Sequence, residues 1–399
     1  MTSYALDWLN LLVRWFHFVA GISWIGASFY FVWLDNHLLP PKDARDATDG
    51  VSGELWSVHG GGFYHNLKYP TGPKSQPLTE ALHWFKWEAY STWLSGMAML
   101  AIVYWASAGT MMIDKRVLNL TPAEAIVISI ASIGIGLWIY DVLCKIFENR
   151  PLALGVAVYV FLVLATWGLF HVFGARAAYI QIGAIAGTIM VANVAHFIIP
   201  GQRKMLAQIR AGEVPDPKLG SIGKTRSVHN TYFTLPVLFT MIGNHYPMTY
   251  DSPFGWEALA VLSLASILVR QFFLLTHKQR YVPALLAGAA VLISVVAIAL
   301  APRVPATATN AANVSFAEVQ PIFAQRCAVC HAERPSQPGF SAPPEGVLLD
   351  SPEHIKANAA RAYAQAVLTQ NMPIGNVTQM TTQERAEIGA WVNAGAKEP

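Results

Sequence analysis

The sequence predicts an all-α chain: a polytopic membrane helix bundle of about eight spans, followed by one small separate domain. Three observations carry this expectation. Hydrophobic residues make up 54% of the chain and charged residues only 13%, about half the charged share of a soluble domain. Apolar runs long enough to cross a bilayer recur until about residue 301 and then stop. Beyond them a Pro/Ala/Thr/Asn stretch, 302–313, reads as a linker to a last segment, 314–399, of moderate hydrophobicity.

The expected spans lie near 8–34, 84–107, 123–143, 152–173, 176–200, 229–245, 256–276 and 281–301. The sixth is short and contains Pro236. The first has no basic region before it, so it reads as a retained span rather than a cleaved leader. Residues 35–82 form a long polar loop containing "HGGG" and "YHN". With the N-terminus outside, the inner loops hold fourteen Lys and Arg and the outer segments four. The positive-inside rule therefore predicts an outer N-terminus, and eight spans place the C-terminal segment outside as well. The net charge of +3 is small and forms no basic patch, which leaves nucleic-acid binding without support.

Three cysteines do not make a disulfide framework, and Cys144 stands alone at the end of an apolar run. The other two belong to Cys327-x-x-Cys330-His331, the attachment pattern of a c-type haem. Two thiols add across the two vinyl groups of one porphyrin, and the adjacent imidazole falls beneath the iron. A zinc site would need further ligands, and only His354 follows. Met372, directly before a proline, is the favoured sixth ligand, with Met380 as the other candidate. The tail "TTQERAEIGAWVNAGA" resembles the C-terminal helix of a class I cytochrome c. Thr381 or Thr382 offers its N-cap, and Ile388, Trp391 and Val392 form its stripe. That helix is expected to pack on "FAEVQPIFAQ". Haem is attached to such motifs on the outer side of bacterial membranes, which agrees with the loop charges.

Ionisable groups inside spans are costly and mark candidate sites. Arg14, His17, His171 and His245 fall toward the outer side. His83, Glu88, Asp141, Asn193, His196, His229 and Arg270 fall toward the inner side, and His59 and His65 lie in the long loop. The plain reading makes His37, His171 and His277 helix-end residues, pairs Glu88 with Arg270 and leaves Asp141 as an interfacial charge. The sharper reading gathers the inner groups into a pocket for a small polar ligand, or into the ligands of an additional haem b in the membrane. "HNTYFTLPVLFTMIGNHYP" places His229 and His245 sixteen residues apart, roughly 24 Å along a helix. Electrons from an inner site would need an intermediate redox centre to cover that span. An outer site would use His245, Asn244, His17 and His171.

The segments "WFHFVAGISWIGASFYFVWLDNHL" (15–38), "ELWSVHGGGFYHNLKYP" (54–70), "LHWFKWEAYSTWLSG" (82–96) and "RSVHNTYFTLPVLFTMIGNHYP" (226–247) resemble the bacterial membrane-bound urate oxidases, or urate hydroxylases. In that family an N-terminal membrane domain is followed by a C-terminal cytochrome c domain, so the resemblance spans essentially the whole chain. It implies hydroxylation of urate at C5 to 5-hydroxyisourate with water as oxygen source. Two electrons leave through the cytochrome c domain to a soluble cytochrome c or terminal oxidase, and no hydrogen peroxide forms. It also implies a bacterial inner-membrane location. On chemical grounds Arg270 would meet the urate anion, and His83, His196, His229 or Glu88 would accept a proton. Trp84, Trp87, Phe63 and Tyr64 would offer stacking surfaces. The competing expectations are a membrane electron carrier from quinol to cytochrome c, and a transporter with a tethered cytochrome. No dinucleotide fingerprint, P-loop or molybdenum-type cysteine pattern is present.

Overall fold

A computed structural model describes residues 2–301, 314–338, 340 and 342–397. The expected linker, 302–313, lies outside the described residues. The chain begins with α1 (Thr2–His37), a short α2 (Ala44–Asp49), and strands β1 (Gly53–His59) and β2 (Gly62–Lys68). There follow α3 (Trp87–Met99), α4 (Ala108–Met111), α5 (Pro122–Ile146), α6 (Pro151–Phe170), α7 (Ala175–Ala192) and α8 (Ile199–Arg210). The bundle closes with α9 (Pro217–Gly243), α10 (Pro247–Tyr250), α11 (Gly255–His277) and α12 (Ala284–Ala299).

Local chemistry sets these ends. Thr121 and Glu124 form a reciprocal capping box at the start of α5, with Pro122 at its first helical position. Asp216 caps α9 through the Lys218 amide, again followed by a proline. Single π turns continue α3 over Leu100–Trp105 and join α7 to α8 over Asn193–Ile198.

Five helices are long and apolar enough to cross a membrane: Trp8–His37, Pro122–Ile146, Pro151–Phe170, Ala175–Arg210 and Gly255–His277. The other three expected spans are helical too. α12 is shorter, the α3 segment is divided by its π turn, and α9 begins with a polar third. Large apolar side chains on α1, α5, α6 and α12, among them Phe18, Val127, Leu164 and Ile298, are exposed. An outer surface of that kind is consistent with a membrane protein.

The all-α expectation is corrected by the segment 53–68. It is an antiparallel hairpin in full register, Gly53 opposite Lys68 and His59 opposite Gly62. The "HGGG" run is its tip: Gly60 and Gly61 both take positive φ, 57° and 80°. Two consecutive left-handed residues make the tight turn that suits the twist of paired strands, and glycine adopts them without steric cost. Lys68 pairs with Asp35 at the end of α1. This side of the bundle, which also holds His37 and His277, is called the hairpin end below.

α7 is the core of the bundle and packs against α3, α5, α6 and α9. Close approach depends on small residues: a Cβ on Gly136 of α5 would sit 2.6 Å from Ile185 of α7. α1 instead lies on the rim against α3, where Gly96 accommodates the His17 ring and Gly21 meets Thr92.

The C-terminal segment folds around its own core. α13 (Phe316–Ile322) runs through a π turn, Phe323–Cys327, into the cysteine motif. After α14 (Pro352–Ala357) and α15 (Ala359–Ala362) the chain ends with α16 (Thr382–Asn393), capped by Thr381 with Glu384. Trp391 of α16 is buried between Phe316 and Phe323, with ring centroids 5.7 and 6.0 Å away. The N- and C-terminal helices of this segment thus pack on each other.

This segment rests on the bundle. The Tyr250 hydroxyl is 3.3 Å from Asn371 Oδ1. A Cβ on Gly375 would sit 2.8 Å from the Ile113 carbonyl, and Gly375 has a φ of 57°. Two independent constraints therefore favour glycine there. A cleft lined by Asp114, Arg116, Arg176, Asp251 and Asn371 runs between the two parts. We call this the domain-facing end.

Candidate functional site

The expected inner cluster divides in the structure. His229, Asn193 and Asp141 come together, joined by three residues the sequence reading left aside, Tyr140, Arg226 and Asn230. Arg226 Nη1 donates to Asp141 Oδ1 at 2.8 Å and to Asn193 Oδ1 at 3.2 Å. That second bond fixes the amide of Asn193, whose Nδ2 donates to the Tyr140 hydroxyl and to Asn230 Oδ1, both at 2.9 Å. Asn230 Nδ2 in turn donates to the Met190 carbonyl. The Tyr140 hydroxyl accepts from Asn193 and lies 2.8 Å from His229 Nδ1. The guanidinium of Arg226 also lies 3.9 Å from the centre of the Phe197 ring.

A sequence signal for these partners exists. Arg226, His229, Asn230 and Phe233 stand at i, i+3, i+4 and i+7, one stripe of a helix. The stripe was hidden because residues 201–228 read as a loop, whereas α9 already starts at Pro217. Arg226 is thus a buried helix residue and not one of the inner-loop cations.

The other four candidates stand apart from this network. His83 is exposed, outside any helix, with its ring edge on Phe85. His196 is exposed on the π turn. Arg270 and Glu88 do not pair, which corrects the plain reading. Glu88 Oε2 and Arg270 Nε and Nη2 are buried without hydrogen-bond partners. Arg270 lies over the Phe29 ring of α1 at 4.1 Å. Asp141 is not an interfacial charge either, since it is the counter-ion of Arg226. Of the stacking candidates, Phe63 and Tyr64 are exposed on the hairpin and Trp87 is exposed at the start of α3. Trp84 lies beneath Arg203.

At the domain-facing end, Asn244 Oδ1 accepts from the Tyr104 hydroxyl at 2.8 Å and from Arg176 Nε at 2.7 Å. His17 Nδ1 lies 3.0 Å from both the Thr92 carbonyl and Ser95 Oγ. The carbonyl can only accept, so that bond puts the His17 proton on Nδ1 and leaves Nε2 bare. His245 and His171 are exposed, and His171 Nδ1 bonds the Trp167 carbonyl one turn back. Burial pushes the Asp251 carboxyl up to about 6 against the pull of Arg116, with Asp114 adding to the rise.

The cysteine motif fits a covalently held haem. Cys327 and Cys330 are free thiols one turn apart, and the His331 amide donates to the Cys327 carbonyl at 2.9 Å. His331 Nδ1 donates to the Val347 carbonyl at 3.0 Å, which leaves Nε2 as the nitrogen for an iron. Met380 is 3% exposed within the domain core, a packing position. Met372 is only partly buried, and Arg385 holds its carbonyl at 2.7 Å. Among the described residues no three His, Cys, Asp or Glu side chains gather as a multi-ligand metal site would need. His354 is occupied by Asp350 at 2.7 Å.

A family model described as urate oxidase N-terminal matches residues 3–301. No curated protein and no solved structure matches the chain. The matched region covers the whole helix bundle with its hairpin and stops where the linker begins. It supports an oxidoreductase acting on urate, with urate as the substrate. On that match, which takes in three-quarters of its length, the chain belongs to the urate oxidase N-terminal family.

Proposed function

We propose that the chain oxidises urate in its membrane domain and delivers the electrons to a c-type haem carried by residues 314–399. Urate and one water give 5-hydroxyisourate, two protons and two electrons. No oxygen is consumed and no peroxide forms. The electrons pass on to a soluble cytochrome c or a terminal oxidase outside the bacterial inner membrane.

The observation that carries this reading is the contact between the two parts. The loop bearing Met372 rests on the bundle through Asn371 and Gly375. Cys327 and Cys330 would hold the porphyrin, with His331 and Met372 as axial ligands. When bound, the haem supplies a one-electron acceptor whose potential a Met ligand raises. Arg385 steadies the Met372 loop through its carbonyl. His229 is held by Tyr140 in the network that fixes α9 against α5 and α7.

The test is spectroscopic. Purified, oxidised, oxygen-free protein should develop the reduced c-haem band on addition of urate, and aerobic turnover should release no peroxide. Gly375→Val should slow the urate-driven change while reduction by dithionite stays intact. An unchanged spectrum with urate, or stoichiometric peroxide in air, overturns the reading.

A further inference from the structure

We infer that Arg270 is the anchor for the substrate anion, where α1, α9 and α11 meet. This rests on the urate reading above and adds to it the place and the mode of recognition. Arg270 is 5% exposed, yet its Nε and Nη2 have no hydrogen-bond partner. Two other arginines of the bundle have counter-ions, Arg226 with Asp141 and Arg116 with Asp114. A buried guanidinium without a counter-ion is costly, and it is tolerated where a ligand supplies the charge.

The geometry says what kind of ligand. Phe29 covers one face of the guanidinium at 4.1 Å, so the donors are available at its edge. Nε and Nη2 share one side of the fork, and their N–H bonds run parallel. That side matches a planar anion with two adjacent acceptors in its own plane. The urate monoanion offers such a pair, a ring nitrogen that has lost its proton beside an oxo group. Tyr232 of α9 donates to Gln271, so α9 packs beside Arg270. His277, two turns along the same face of α11, has a buried Nδ1 that is likewise unpartnered, and its ring lies 5.2 Å from that of His37.

A phospholipid phosphate has the same acceptor chemistry. It is the weaker occupant on position. Lys278 and Arg280 lie just past the end of α11, whose last residue, His277, is seven residues beyond Arg270, about 10 Å by helical rise. A headgroup would meet those cations first.

The experiment uses the full-length haem-loaded protein, reduced with dithionite so that bound urate is not consumed. Urate binding is measured by equilibrium dialysis for wild type, Arg270→Gln and Arg270→Lys, and phospholipid is extracted from each. The expected result is urate binding about 100-fold weaker in Arg270→Gln. Arg270→Lys, which keeps the charge and the fold but loses the paired edge, should show a smaller loss. Dithionite should reduce the haem equally in all three. Equal urate binding by wild type and both variants overturns the assignment and leaves the urate reading standing. A phospholipid held by wild type and lost from Arg270→Gln overturns it in favour of a lipid site. Wild type that binds no urate overturns both.

Discussion

Arg226 and Arg270 have the same burial, 5% exposed each, and each lies about 4 Å from a phenylalanine ring. Around Arg226 polar groups are matched one to one: Asp141, Asn193, Tyr140, Asn230 and His229 form a connected chain of donors and acceptors. Around Arg270 two donors point at nothing. A buried network satisfied throughout rigidifies its helices and fixes tautomers. An unsatisfied one is a strain that binding relieves. The two regions sit at similar depth, because Tyr232, one turn from His229, bonds Gln271, the neighbour of Arg270. The bundle thus sets a finished polar structure beside an unfinished one, with α9 between them.

The largest expected effect tests that contrast by sign. Arg226→Leu should destabilise the substrate-free protein by about 3–5 kcal/mol, since it strands Asp141 and Asn193. Arg270→Leu should leave stability unchanged or raise it. Thermal unfolding in detergent measures both, and equal losses would break the comparison.

Asp251 is an intermediate case, a carboxyl pushed up to about 6 by burial although Arg116 is near. Its folded form holds the proton more tightly than the unfolded form does. Its contribution is therefore full below the usual carboxylate range and falls as pH rises from about 4 to about 6, by at most about 3 kcal/mol. The melting temperature should decline over that interval, and Asp251→Asn should remove the decline. Tyr140→Phe removes one hydroxyl that bonds both Asn193 and His229, and should cost about 1–3 kcal/mol. Urea titration checks it. The smallest effect belongs to Asn371→Ala, which gives up the Tyr250 bond and should weaken the contact between the two parts by about 0.5–1.5 kcal/mol. Crosslinking yield between them reads that loss.

Hydropathy made the helices legible, because a lipid-facing surface needs long apolar runs whatever the partner helices are. The hairpin was written in the sequence as well. Two seven-residue strands rich in aromatic residues flank Gly60-Gly61, but the polar surroundings invited a loop reading. His229 and Arg270 stood out as ionisable residues in apolar context. Arg226 did not, because a window average over the polar start of α9 hid its helix. Tyr140 had no signal of its own, since a tyrosine in a span reads as packing until its hydroxyl finds a partner. The contact of Asn371 with Tyr250 joins residues 121 apart in sequence, and no local pattern encodes it.

The resting place of Gly375 against Ile113 has an orientational consequence. With that side of the small domain turned to the bundle, the carrier of the proposed electron route would dock elsewhere on it. The exposed stretch around Glu333 and Arg334, just past His331, remains open to such a visitor. The molecule would then work as a one-way conduit, loading from one rim of the domain and discharging from another, so that donor and acceptor never compete for the same surface.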